Sequence, residues 1–204
     1  ADEDMLYRAY GINAELLIDH AWGREPTTIK DIKSYTPRFH SLSNGQMLMR
    51  DYDFEGARLV IKEMADLLCL DLIDADLVTS SITMYVGYSM KVELPSGRGT
   101  ERLTEETNAP MVIIPAAVRL YERITDRYQP IRRLSITCNN VVPETYVQLS
   151  IFTDAQRIEK DRDVQRAIID IKDRYGADSV LRGISYMEGA TTRIRNHQIG
   201  GHKK

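Results

Sequence analysis

The chain predicts an α+β fold: an open sheet in β-α-β-β-α-β order with two helices on one face, flanked by an N-terminal helical segment and a C-terminal helix. Three observations carry this. Apolar residues recur at helical spacing in "DFEGARLVIKEMADLLCLDL" (53–72) and again from Ile114 to Tyr128. Four runs read as strands: "HSLSNGQMLMR" (40–50), "SSITMYVGYSM" (80–90), "GRGTERLTEET" (97–107) and "IRRLSITCNNVV" (131–142). Their order along the chain is that of a ferredoxin-like or split βαβ plan, which leaves one sheet face uncovered.

Residues 1–24 read as the end of a helical unit. Gly11 marks a turn, Asn13 can cap, Leu16, Leu17 and Ala21 form an apolar stripe, and Trp22 is expected in a core at the helix end. Residues 25–39, with Pro26 and Pro37 and mixed charge, read as a linker that is extended rather than helical, so the first domain boundary falls there. The sheet domain spans 40–142. Its first helix places Val60, Met64, Leu67 and Leu68 on one face, with Asp53 as N-cap. The next strand alternates Ile82, Met84 and Val86 against Thr83, Tyr85 and Gly87, and the turn signal Pro95-Ser96-Gly97 makes it a hairpin with the strand that follows.

The second helix should point Val118, Tyr121 and Ile124 inward. Pro115 lacks an N–H, so it fits best at the first helical position. The last strand sets Leu134, Ile136 and Cys138 on one face. A loop follows over 143–154. Residues 155–204 then give a helix with Val164, Ile168, Ile171 and Tyr175 at helical spacing and Gly176 as C-cap, ending in a basic tail expected to be partly mobile.

Composition narrows the function. The 204 residues are 43% hydrophobic and 28% charged, the mixture of a soluble globular protein. The sequence holds no run of about 18 apolar residues and no signal peptide, so a cytoplasmic location is expected. The chain opens on Ala, which points to processing or to a piece cut from something longer. Cys69 and Cys138 sit in apolar patterns and read as buried free thiols of a reducing compartment. The net charge of -3 argues against a globally basic nucleic-acid binder but leaves room for a basic face on an acidic body.

The bare sheet face supplies such a candidate. The alternations place there Ser41, Ser43 and Gly45 from the first strand, Thr83 and Tyr85 from the second, Arg98, Thr100 and Arg102 from the third, and Arg133, Ser135 and Thr137 from the fourth. The set holds hydroxyls, a glycine and guanidiniums but no Asp or Glu, in a chain with 30 acidic residues. Guanidiniums and short hydroxyls suit phosphate oxygens. An ordinary solvated face uses the same residue types, and a slip of one residue in register would exchange the two faces.

The loop 143–154 contains "QLSIF", Gln148, Leu149, Ser150, Ile151 and Phe152, which is apolar where a loop is normally polar. Either it folds back on its own domain, stapling the next helix, or it belongs in another protein's groove. Asp71, Asp74 and Asp76 read as a solvated loop rather than a metal site. His197 and His202 are an incomplete ligand set. No Gly-x-Ser-x-Gly and no local Cys–His pairing suggests a nucleophile.

"SLSNGQMLMRDY" after a Pro-containing linker, the β-α-β-β-α-β order and "QLSIF" resemble the C-terminal half of Y-family translesion DNA polymerases, in their UmuC-like (ImpB/MucB/SamB) branch. "LYRAYGINAELLIDHAWG" is similar to the last helices of that family's thumb, and "DIKDRYGADSVLRG" to the tail after its little-finger domain. The resemblance implies that 1–24 is a thumb remnant and 40–142 a little finger. Such a domain holds primer–template DNA by its backbone, without reading sequence. It implies that Gln148–Phe152 binds the bacterial sliding clamp, with Ile151 where Leu is commoner. It implies a role in DNA repair and damage bypass of the SOS type. Polymerase chemistry would need Mg²⁺ held by acidic residues of a palm domain, which this stretch does not contain, so no activity and no cofactor are expected of it alone. The competing reading is a stand-alone ferredoxin-like protein-interaction or regulatory module.

Overall fold

Strand residues that alternate apolar with polar can bury one face and wet the other, and four such strands form a single sheet here. The structure, a computed structural model, describes residues 2–35, 41–144, 155–199 and 202–203. Its elements are α1 (Glu3–Tyr10), α2 (Asn13–Ala21), α3 (Ile29–Ser34), β1 (Leu42–Tyr52), α4 (Phe54–Asp74), β2 (Leu77–Tyr88), β3 (Gly97–Thr107), α5 (Pro110–Ile124), β4 (Ile131–Asn139), β5 (Val142–Pro143), α6 (Ala155–Tyr175), a 3₁₀ turn (Gly183–Tyr186), α7 (Thr192–Asn196), β6 (Gln198–Ile199) and β7 (His202–Lys203). The chain divides into two compact units, Ala1–Arg38 and Phe39–Lys204.

In the second unit the main strands run in the order β1-β4-β2-β3, every pair antiparallel, and β5 extends the start of β2. Each βαβ unit therefore encloses a strand of the other: β4 lies between β1 and β2, and β2 lies between β3 and β4. This is the expected split βαβ plan. Helices α4 and α5 cover one face. Ile82, Met84, Val86, Leu134, Ile136 and Cys138 point into that layer and are fully buried. Opposite them lie Val60, Ile61, Met64 and Leu68 of α4, and Ile113, Ala117, Leu120 and Tyr121 of α5. Asp53 caps α4 as expected, its carboxylate accepting from the Gly56 N–H at 2.8 Å. The Tyr121 hydroxyl donates to the Phe54 carbonyl at 2.9 Å, so the one polar atom of that large ring is satisfied inside the core.

Several local expectations are corrected. α5 starts at Pro110, which takes the first helical position, and Pro115 lies inside the helix. Pro115 is exposed, so the missing N–H costs the helix a bond on its solvent side, while Ala116, Ala117 and Leu120 carry the packing. The stretch 25–39 is not wholly extended, because Thr28 and Asp31 form a reciprocal capping box that starts α3. Within the first unit Ile12, not Asn13, is the N-cap of α2, and Gly11 makes the turn at φ 57°. Trp22 is 73% exposed rather than core, and Ala14 is the one buried residue among those described there. Fewer than about 40 residues seldom bury a core of their own.

The C-terminal region belongs to the second unit and is held firmly to it. The α6 helix and its Gly176 cap fall where expected, with the Gly176 N–H donating to the Lys172 carbonyl at 2.8 Å. Of the expected apolar stripe only Ile168 is on its packed side, half-buried and lining a cavity with Leu67 and Leu70 of α4. Gln165 is buried while Val164, Ile171 and Tyr175 are exposed. Beyond it the chain returns to α4, where Arg182 donates to Asp66 at 2.6 Å and to Gln165 at 3.2 Å. Glu63 of α4, 3% exposed, accepts from the Thr191 N–H at 2.7 Å and from the Thr192 N–H at 3.4 Å. Gln46 and Asn44 of edge strand β1 add bonds to Thr191 and Arg195. Residues 183–196 are thus a docked segment, not a mobile tail.

Candidate nucleic-acid interface

The cross-strand register settles which residues share the uncovered face. Ser43 pairs with Thr137, Thr137 with Thr83, and Thr83 with Thr100, forming one row across all four strands. The next row is Gly45, Ser135, Tyr85 and Arg98. A third carries Met47, Arg133 and Gly87, and a fourth carries Asn139, Ser81 and Arg102, with Ser41 just before β1 at the same end. The eleven residues expected on this face therefore do share it, since their partners across each strand have core-facing neighbours. Ser43, Gly45, Arg98, Thr100, Arg102 and Arg133 are exposed, and Thr83, Tyr85, Ser135 and Thr137 are half-buried between neighbouring strands.

Hydroxyls on the face form a chain. The Asn139 Nδ2 donates to Thr83 Oγ1 at 2.9 Å, and Thr83 and Thr100 share a bond of 2.9 Å. Asn139, Ser81 and Met47 fall outside the set expected from the sequence, although each follows from extending the same alternation. Glu106 is a carboxylate in the same alternation farther along β3. Within the four rows there is none.

Among the described residues of this unit the arginines divide into those paired with carboxylates and those free of them, and Arg50, Arg127, Arg174, Arg193 and Arg195 are free as well as the three on this face. Arg58, Arg119, Arg123, Arg132, Arg166 and Arg182 each lie within 4 Å of a carboxylate, as does Arg162 beside Glu144. Among the described residues Arg98, Arg102 and Arg133 have no such partner. Arg98 and Arg133 instead lean on the Tyr85 ring, with Cζ 5.0 and 5.6 Å from its centroid. Guanidiniums that keep their planar fork of donors free are poised for oxyanions such as phosphate.

The other candidate groups are placed as follows. Gln148, Leu149, Ser150, Ile151 and Phe152 lie outside the described residues. Cys69 and Cys138 are buried free thiols, and burial pushes both up, Cys138 to about 12. Burial, with Asp74 nearby, raises the Asp71 carboxyl, while Asp76 pairs with Arg166 at 3.3 Å. His197 pairs with Asp178 at 3.0 Å. No described helix is long and apolar enough to cross a membrane.

A split βαβ domain with a polar, guanidinium-bearing open face is the class of protein that sequence and structure define. The chain belongs to the impB/mucB/samB family, whose C-terminal domain matches residues 39–151. It is 27% identical to DNA polymerase IV 2 of Halalkalibacterium halodurans over 96% of this chain and 46% of that protein. It is 24% identical to DNA polymerase IV 2 of Bacillus subtilis over 98% of this chain and 48% of that protein. The chain thus spans about half the length of the curated relatives it matches. Among solved structures, a complex of the beta-clamp processivity factor with the little finger domain of PolIV aligns at 12% identity and a TM-score of 0.39, covering 56% of this chain and all of that one. The family assignment rests on the domain match and not on that likeness.

Proposed function

We propose that this chain is the DNA-holding, little-finger part of a translesion DNA polymerase, working in damage bypass in the bacterial cytoplasm. The observation that carries the reading is the four-row open face, which brings three guanidiniums free of carboxylates together with short hydroxyls and holds no Asp or Glu within its rows. Such a face suits the phosphates of a primer–template duplex, and it presents a sheet surface where direct base readout uses an element inserted in a groove. Membership of the family and the polymerase names of its relatives support the same reading. The exposed apolar residues of the N-terminal unit, Leu16, Leu17 and Trp22 among them, suit a thumb subdomain that packs on further structure.

In this reading polymerase chemistry, with its Mg²⁺ ions, belongs to a palm domain and not to the sheet. Gln148–Phe152 tethers the protein to the sliding clamp as an extended peptide, Gln148 bonding at one end and Leu149, Ile151 and Phe152 filling an apolar pocket. Tethering raises the local concentration at a stalled primer end. Fluorescence anisotropy with two duplexes of unrelated sequence tests the central part. The affinities should agree between sequences and fall steeply as salt rises. Strong preference for one sequence, or binding insensitive to salt, would refute it.

A further inference from the structure

We propose that Tyr85 is a positioning residue, whose ring, seated over Gly87, holds the Arg98 and Arg133 guanidiniums ready for neighbouring phosphates of the bound nucleic acid. The inference rests on the DNA-holding reading and adds to it the device that sets the spacing of two of its contacts. Three observations carry it.

Tyr85 and Arg98 are direct cross-strand partners, whereas Arg133 lies opposite Gly87, two residues farther along β2. The ring therefore reaches along the sheet toward Gly87 to meet the second guanidinium. A Cβ at Gly87 would fall 3.1 Å from Arg133 Cβ, 3.2 Å from Tyr85 Cε1 and 3.3 Å from its hydroxyl oxygen, tighter than ordinary contact. Glycine inside a strand weakens it and commonly marks a close approach, here by the ring and the arginine stem.

Both guanidiniums lie on the same ring, at 5.0 and 5.6 Å from its centroid, so they stand no more than about 11 Å apart. With phosphates rising about 3.4 Å per nucleotide along one strand, two guanidiniums inside that bound can reach phosphates close together on one backbone. Long side chains lose rotamer freedom when they bind, and an arginine already laid on an aromatic ring loses less. Among the described residues the Tyr85 hydroxyl has no hydrogen-bond partner, so a direct role for that oxygen is the rival explanation.

The test measures duplex affinity and its salt dependence for the whole chain and for Tyr85→Phe, Tyr85→Leu, Gly87→Ala and Arg98→Gln/Arg133→Gln, with melting curves to show that each is folded. Tyr85→Phe keeps the ring and should bind as the parent does. Tyr85→Leu removes both ring contacts and should bind about 5- to 30-fold more weakly. Its salt slope should be retained, because the charges remain. Gly87→Ala should weaken binding in the same direction. In the double arginine variant the slope should shrink by about 0.9 for each phosphate no longer neutralised. In that background Tyr85→Leu should have no further effect.

Equal losses in Tyr85→Phe and Tyr85→Leu would make the hydroxyl a ligand and overturn the proposal. So would a loss from Tyr85→Leu that persists in the arginine-free background, or no loss at all. In each of those cases the DNA-holding reading stands if the double arginine variant is weakened. A parent chain without salt-dependent binding would overturn both.

Discussion

Replacing Glu63 with Ala should cost the domain about 3–5 kcal/mol, because the two backbone N–H groups it satisfies are themselves buried. Glu63 is 3% exposed, and Thr191 and Thr192 are 6% and 5% exposed. The carboxylate accepts from both of their N–H groups, and from the Thr191 hydroxyl at 3.3 Å. A buried donor left without a partner costs about 1–3 kcal/mol, and two are orphaned here. Glu63→Gln keeps one acceptor oxygen in nearly the same place and should cost about 1–2 kcal/mol. Against a typical stability of about 5–15 kcal/mol, the Ala variant would be marginal. Urea denaturation followed by circular dichroism gives the energies, and amide hydrogen exchange at Thr191 and Thr192 reports the docking itself. A loss below about 0.5 kcal/mol in Glu63→Ala, or a Thr191 amide exchanging at the unfolded rate, would refute the docked C-terminal segment.

Other consequences are as direct. A Cβ at Gly97 would lie 2.4 Å from the Ile124 carbonyl oxygen, so Gly97→Ala should cost about 1–3 kcal/mol in the same denaturation assay. Gly45→Ala, whose nearest contact is 3.5 Å, should leave stability within about 0.5 kcal/mol. The Cys138 thiol, pushed up to about 12 by burial, should resist a disulfide reagent at pH 8 until the protein unfolds. Since the unfolded chain ionises that thiol first, its contribution to stability is full below about pH 8.5 and falls as pH climbs toward 12, a fall that Cys138→Ala should lessen. By surface plasmon resonance the chain should bind the bacterial sliding clamp, and Gln148→Ala/Phe152→Ala should abolish it. Equal binding by both proteins would rule that segment out as the tether.

What the sequence revealed, and what it concealed, follows from the range of the forces involved. The alternation Ile82, Met84, Val86 against Thr83, Tyr85, Gly87 is local and strong, so it placed both the core and the open face. Pro110 and Pro115 both suit a first helical turn, and the Ala109 carbonyl, accepting from the Val112 and Ile113 N–H groups, shows that Pro110 opens α5. On α6 the apolar spacing found Ile168 on the packed side but not its neighbour Gln165, whose burial depends on a bond to the distant Arg182. Glu63 sits in a run that reads as helix core, and its partners are more than a hundred residues away, so no local pattern announces the lock. Tyr85 was legible as a face residue. Its reach toward Gly87 was not, since side-chain direction along a sheet depends on the register of the neighbouring strands.

The most direct measurement is duplex binding by the triple variant Arg98→Glu/Arg102→Glu/Arg133→Glu beside the parent chain, at several salt concentrations and with folding checked by circular dichroism. The three side chains are exposed and lack carboxylate partners among the described residues, so the fold should survive. Affinity should collapse, and the parent's salt slope should shrink by about 0.9 for each phosphate that is no longer neutralised. A folded triple variant that binds DNA as tightly as the parent, with the same slope, would contradict the claim that this open sheet face holds the duplex.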